Sequence, residues 1–327
     1  MAWKETGNLS FADAFIQSHS VLEEFDEIDT MVDWQPVQKI LSVISNSKVG
    51  EKAYPPLLMF KAILLQKWHN LSDPGLEKQL VRDIVFKRFT GLSLSDPVPD
   101  HSTIHRFRQK LIDQQLEDPI FKEINRQLQS SGIMIKEGAI SIIDASVIEA
   151  KNCRPKKNSS GQNTQDPEAK YNTKLGADGK RRTTYGYKNH MNVDEDGFIQ
   201  KTICTPANEH DSIQFKNLLT GSESAATADS AYYSKKHLEL LNYLGVKEML
   251  LRRAFRNKPL TEVEKQHNFY ASQVRNVVER VFGTLKNHYG LAKARYMGQK
   301  RNQLNFTLMS IAYNLKRGLK IQQQTCV

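Results

Sequence analysis

Cysteine is scarce in this chain: three in 327 residues, Cys153, Cys204 and Cys326, with no Cys-x-x-Cys pair among them. An odd, scattered set excludes a disulfide framework and a thiolate zinc site, and it points to a reducing cytoplasm. Long apolar runs are missing as well. The longest, Pro55 to Leu65, is broken by Lys61 and is too short to span a bilayer, so no membrane role is expected. The first thirty residues hold no apolar stretch of signal-peptide length. There is no Gly-x-x-x-x-Gly-Lys phosphate loop, no Gly-x-Ser-x-Gly elbow and no His-Glu-x-x-His pair, which sets aside three common kinds of hydrolytic site. No internal repeat suggests a solenoid. Glycine and proline, at 17 and 11, are too few for a collagen-like or wholly disordered chain.

What is present is an uneven charge. The net value is +10, yet residues 1–130 carry 15 basic against 18 acidic side chains and residues 131–327 carry 31 against 18. A basic excess confined to one part of a chain is the footprint of a phosphate polyanion, since each neutralised phosphate releases counterions. A merely solvated basic surface would look the same from charge alone.

The hydrophobic pattern divides the chain in three. Residues 1–45 read as one or two short helices. Residues 46–130 read as a helical domain. A helix runs from Pro55 to about Asn70, Asp73-Pro74-Gly75 makes a turn, and Leu76, Leu80, Ile84, Val85 and Phe89 form the stripe of a second helix. After a proline-bearing connection, Asp100 caps a third helix to about Gln114. Ile104, Phe107 and Leu111 face inward there, leaving Arg106, Arg108 and Lys110 outside. Helices joined this way, the last one basic, suit a helix-turn-helix laid against DNA, although a plain helical bundle has the same pattern.

Residues 131–327 read as a mixed α/β domain. Ala139–Ile148 is β-branched and reads as a buried strand. A basic, polar insert over 151–183 follows, with Lys156, Lys157, Arg181 and Arg182. It has too little apolar surface to fold alone and is expected to order on contact with DNA. Tyr185–Val193 and Phe198–Thr205 flank the hairpin signal Asp194-Glu195-Asp196-Gly197. A short helix from Asp211, a strand Ala225–Asp229, a helix Lys235–Leu244, a strand Val246–Leu251 and long helices complete the order.

Carboxylates carry the chemistry. An aspartate inside an apolar strand needs a partner or a cation, and Asp144 and Asp229 both stand in such strands. Glu279 lies in a helix expected over Phe269–Tyr289, where Arg275, Glu279 and Lys286 share one edge. An ordinary i, i+4 ion pair explains Arg275 and Glu279 on that helix alone. Together the three acids, without a thiol or histidine set, suit Mg²⁺ or Mn²⁺. Two such ions are the apparatus of in-line phosphoryl displacement.

Seven pieces of sequence, in order, carry a resemblance. They are Lys67-Trp68-His69-Asn70-Leu71-Ser72-Asp73, Pro99-Asp100-His101-Ser102-Thr103-Ile104 with Phe107-Arg108, and Ile143 to Ala150. Ala207-Asn208-Glu209-His210-Asp211, Ala228-Asp229-Ser230-Ala231-Tyr232, the set Arg275, Glu279 and Lys286, and Lys293-Ala294-Arg295-Tyr296 follow. Over about Tyr54 to Leu319 the chain resembles the DDE transposases of bacterial insertion sequences, and is most similar to the insertion-sequence-five family. The resemblance implies a ribonuclease-H-like domain with a mixed five-stranded sheet flanked by helices, behind an N-terminal all-α, helix-turn-helix-like domain. It implies Asp144, Asp229 and Glu279 as a triad for two Mg²⁺ ions. Arg275 and Lys286 would lie near the DNA ends, and a homodimer would bring two ends together. Ser272 stands where the broader superfamily has tyrosine. The rival readings are a DNA-binding relative without catalysis and a stand-alone nuclease.

Overall fold

The computed structural model describes residues 3–8, 11, 13–16, 19–44, 52–134, 140–152, 156–161, 165–176, 179–255 and 258–325. The boundary expected at 45–46, the strand start at Ala139, Cys153 and Cys326 lie outside them. The chain divides into two units, one of residues 1–131 with 307–327 and one of 132–306.

In the first unit the helices are α1 (Asp26–Met31), α2 (Trp34–Leu41), α3 (Pro56–Trp68), α4 (Asp73–Arg82), α5 (Ile84–Thr90), α6 (His101–Asp113) and α7 (Glu117–Ser130). Helix α3 is apolar around most of its circumference and buries Leu58 to Trp68 apart from Lys61, as a helix at the centre of a bundle must. Trp68 closes it by donating from Nε1 to the Ala312 carbonyl at 2.8 Å. The stripe read as one helix over Leu76–Phe89 is two. Asp83 adopts an extended backbone between them, and its carboxylate accepts the N–H groups of Val85 and Phe86, starting α5. Helix α6 begins at Asp100, whose carboxylate takes the Thr103 N–H at 2.7 Å. Its Arg108 is not on the outside. At about 100° per residue it falls about 40° from Ile104, at the border of the Ile104, Phe107, Leu111 stripe. It is buried there, its guanidinium paired with Asp73.

In the second unit the elements are β1 (Ile140–Glu149), β2 (Lys170–Leu175), β3 (Arg181–Val193), β4 (Ile199–Pro206), α8 (Phe215–Leu218), β5 (Ala225–Ala228), α9 (Lys235–Tyr243), β6 (Lys247–Glu248), α10 (Glu262–His288) and α11 (Gln299–Thr325), the last running on into the first unit's residues. Five strands lie in the order β4-β3-β1-β5-β6. Strand β3 is antiparallel to β1 and β4, while β1, β5 and β6 are parallel. This is the mixed sheet of a ribonuclease-H-like fold. The sheet has a sixth strand, however. Part of the insert expected to remain unfolded forms β2, antiparallel to the start of β3. Backbone pairing suffices for this, since five of its six residues stay exposed.

Ile143 packs into an apolar cluster with Ala226, Ala228, Phe215, Leu218, Tyr232 and Leu241, on the side of α8 and α9. Side chains alternate along a strand, so Asp144 points the other way, toward α10. Helix α10 lies against β1, β3 and β5. It starts seven residues earlier than expected, at a capping box in which Thr261 and Glu264 satisfy each other's backbone. Gly186 permits the tight pairing of β3 with the end of β1: a Cβ there would stand 2.0 Å from the Ile148 carbonyl oxygen.

Candidate active site

Two aspartates stand next to each other on neighbouring parallel strands, Asp144 midway along β1 and Asp229 just past the carboxyl end of β5. Ile143 of β1 is in register with Ala228 of β5, so Asp144 and Asp229 are the next residue on each strand. The carboxyl end of β5, where the chain leaves the sheet, is the kind of place at which open α/β sheets bind ligands. Asp229 turns the chain, accepting the Ser230 N–H at 2.6 Å as the cap of a short 3₁₀ turn. Asp144 accepts the Ala145 N–H at 2.8 Å and holds Arg275 Nη2 of α10 at 3.2 Å.

The same Arg275 nitrogen lies 3.9 Å from Glu279 Oε1. Asp144 and Glu279 therefore come within about 7 Å of each other across one guanidinium. The pair with Asp144 is mostly enclosed, at 13% and 21% side-chain exposure, while Glu279 is 59% exposed. Burial pushes the Asp144 carboxyl above the usual aspartate range. Arg275 opposes this and the charge of Asp229 adds to it. Burial likewise pushes Lys286 down, against the attraction of Asp144 and with the repulsion of Lys174 on β2. The acids, Arg275, Lys286 and Lys174 thus form one electrostatic neighbourhood.

Three residues to which the sequence reading gave no role border it. Tyr232 is buried, its hydroxyl makes no hydrogen bond among the described residues, and burial and the charges of Asp211, Asp144 and Asp229 push its pKa up. Asp211 pairs with Lys188 at 2.7 Å, and Lys188 also donates to the Glu209 carbonyl at 2.5 Å. Asp211 and Tyr232 end two of the sequence pieces that carried the resemblance, which was the available signal.

The donor set is oxygen only. A carboxylate driven from its charge by burial and by a like neighbour suits a hard divalent cation, which would relieve both effects. Among the described residues no three or more His, Cys, Asp or Glu side chains are grouped to hold a metal ion. Arg275 supplies the positive charge between Asp144 and Glu279.

The other expected DNA contacts are dispersed. Arg106 and Lys110, with Lys4 and Lys52, line an open cleft of about 610 Å³ in the first unit. Lys156, Lys157, Arg181 and Arg182 are exposed in the second. Among the described residues no helix is long and apolar enough to cross a membrane.

No solved structure matches the chain. Two family models do. One described as a transposase domain (DUF772) matches residues 10–110, and one described as a transposase DDE domain matches residues 136–315, more than half of the chain. With Asp144 of β1 beside Asp229 at the end of β5 and a glutamate on the helix laid across the sheet, the chain belongs to the DDE transposases.

Proposed function

We propose that the protein binds the terminal inverted repeats of an insertion sequence of the insertion-sequence-five family, cleaves the DNA there and joins the freed ends to target DNA. The observation that carries this reading is the register of Ile143 with Ala228, which sets Asp144 beside Asp229 under Arg275 and Glu279. Asp144, Asp229 and Glu279 would hold the two Mg²⁺ ions, for which Mn²⁺ is a substitute. Bound there, the ions would activate the attacking oxygen and stabilise the leaving one.

The protein's own groups do the rest. Asp144 and Asp229 gather negative charge at one point of a low-dielectric edge. Arg275 fixes the Asp144 carboxylate in place, and Lys286 offers a cation to the DNA backbone beside it. In cleavage, a water oxygen bonds to phosphorus, the bond from phosphorus to the 3′ oxygen breaks, and that oxygen takes a proton. In joining, the new 3′ hydroxyl attacks a target phosphorus and displaces the target's own 3′ oxygen. Arg106, Lys110 and the basic surface around β2 hold the ends in register. Because two ends react together, the working form on DNA is a homodimer, acting on the nucleoid in the cytoplasm.

A supercoiled plasmid carrying the element's ends, incubated with protein and Mg²⁺, tests the reading. Asp144→Ala is expected to abolish cleavage and joining while retaining duplex binding. Unchanged products from that variant would refute the site. Cleavage without joining by the wild type would leave a nuclease, and binding without products a DNA-binding relative.

A further inference from the structure

The insert strand makes a two-stranded ribbon with two unlike faces. The register pairs Lys174 with Arg182, Asn172 with Thr184 and Lys170 with Gly186. Directly paired residues share a face, so one face carries Lys170, Asn172, Lys174, Arg182 and Thr184. The alternate positions make the other. There Tyr171 lies against Tyr185 at 4.7 Å, Thr173 and Thr183 share a 2.9 Å hydrogen bond, and Tyr185 donates to the Asp166 carbonyl. The second face is therefore occupied with holding the ribbon together. The first holds donors and acceptors that pair with base edges: arginine, lysine and asparagine, with a hydroxyl between.

Position and size agree with such a use. Helix α10, which carries Glu279 and Lys286, lies against β1 and against β3, the strand that β2 pairs, and the charges of Lys174 and Asp144 both act on Lys286. Six residues of strand extend about 20 Å, and the DNA major groove, about 12 Å wide, admits a two-stranded ribbon. A ribbon exposed on its donor-rich side is also marginal in water by itself, and a polyanion would stabilise it.

We propose that the β2–β3 ribbon enters the major groove of duplex DNA next to the cleavage site and reads base pairs there through Asn172, Lys174 and Arg182. This rests on the transposase reading above and deepens it, making the insert a reader of sequence as well as a source of positive charge. Arg181, on the opposite face, is a backbone contact only.

The test uses the full-length protein and a pool of duplexes randomised over two helical turns, selected by binding and sequenced. The wild type is expected to enrich a defined sequence. Arg182→Ala and Asn172→Ala should each relax the preference at one or two neighbouring positions by about tenfold or more, leaving the other positions unchanged. Arg181→Ala should weaken binding to all sequences alike and lower the salt slope by about one. Arg181 and Arg182 are exposed and Asn172 is partly exposed, none of them in the core, so the variants are expected to fold, which a thermal melt checks. If Arg182→Ala and Asn172→Ala retain the full wild-type preference, or if the wild type binds without any preference, the ribbon does not read sequence, whatever the plasmid assay shows. If the wild type fails to bind duplex DNA at all, the transposase reading falls with it.

Discussion

Arg275→Met removes the cation that lies between Asp144 and Glu279, and its cost follows from the geometry. At 3.2 Å, with an effective dielectric of about 20, attraction to Asp144 is roughly 5 kcal/mol before solvation is counted. Withdrawing both groups from water offsets much of that, and each side chain retains some exposure. A charged hydrogen bond of this kind contributes a net of about 1.5–3 kcal/mol. Glu279, farther away and mostly exposed, adds less than about 1 kcal/mol. The single variant also leaves Asp144 charged beside Asp229, so Arg275→Met should destabilise the metal-free protein at neutral pH by about 2–4 kcal/mol. With Asp144→Asn already present, the same change should cost less than about 1 kcal/mol. The assay is urea unfolding of the four proteins of a double-mutant cycle, without divalent ions. Equal costs of Arg275→Met in the two backgrounds would show that the guanidinium is held by its packing and not by Asp144, and the electrostatic account of the site would be wrong.

Two further outcomes concern buried charge elsewhere. Asp194, at the β3–β4 turn, is buried and pushed up to about 6, chiefly by loss of water, while the Phe198 N–H and Gln200 hold its carboxylate. Its folded pKa exceeds its unfolded one. Between about pH 4 and 6 the native state therefore keeps a proton that the unfolded chain releases, and stability falls as pH rises through that window. Two pH units correspond to about 3 kcal/mol. Asp194→Asn should match the wild type near pH 4 and exceed it by up to about 3 kcal/mol above pH 7. Denaturant melts across pH check this, and a deficit at neutral pH would contradict it. In the helical unit, Arg108→Met should cost about 3 kcal/mol or more by stranding Asp73. Arg106→Ala, on the exposed side, should change stability by no more than about 0.5 kcal/mol. Equal losses in urea unfolding would mean that Arg108 is not enclosed as described.

The parts of the fold that could be read in advance were those with a local signature. A β-branched run marked β1, and the hairpin signal Asp194-Glu195-Asp196-Gly197 marked β3 and β4 on either side of it. The apolar stripe marked the core of α10, although its first two turns had only the Thr261-x-x-Glu264 box to announce them. Strand β2 had no such signature. Its side chains bury almost nothing, and it exists because β3 runs five residues beyond the end of β1 and offers an edge. A hydrophobicity pattern is blind to a strand held by backbone pairing and a few cross-strand contacts. Arg108 failed for a different reason: its position at the border of the inward stripe was available from the helical period, but its charge argued for the surface, and the partner that allows burial, Asp73, lies 35 residues away.

The same contrast separates the acids from the residues around them. A carboxylate inside an apolar strand is a local contradiction, visible within a few residues of sequence, and so Asp144 and Asp229 could be picked out. Tyr232 and the Lys188–Asp211 pair are unremarkable in their own segments. They acquire meaning only when β3, the turn after β4 and the turn after β5 converge, and then a buried hydroxyl with no hydrogen bond among the described residues feels the charges of Asp211, Asp144 and Asp229. Arg275 shows both sides of this. Its helical spacing from Glu279 suggested an ordinary surface ion pair, and that pair exists, but at 3.9 Å it is the weaker of two. The stronger, to Asp144, spans 131 residues and turns a helix-edge arginine into the counter-charge of a carboxylate in the central strand. Local sequence can therefore nominate the groups that need compensation, whereas what compensates them is decided by topology.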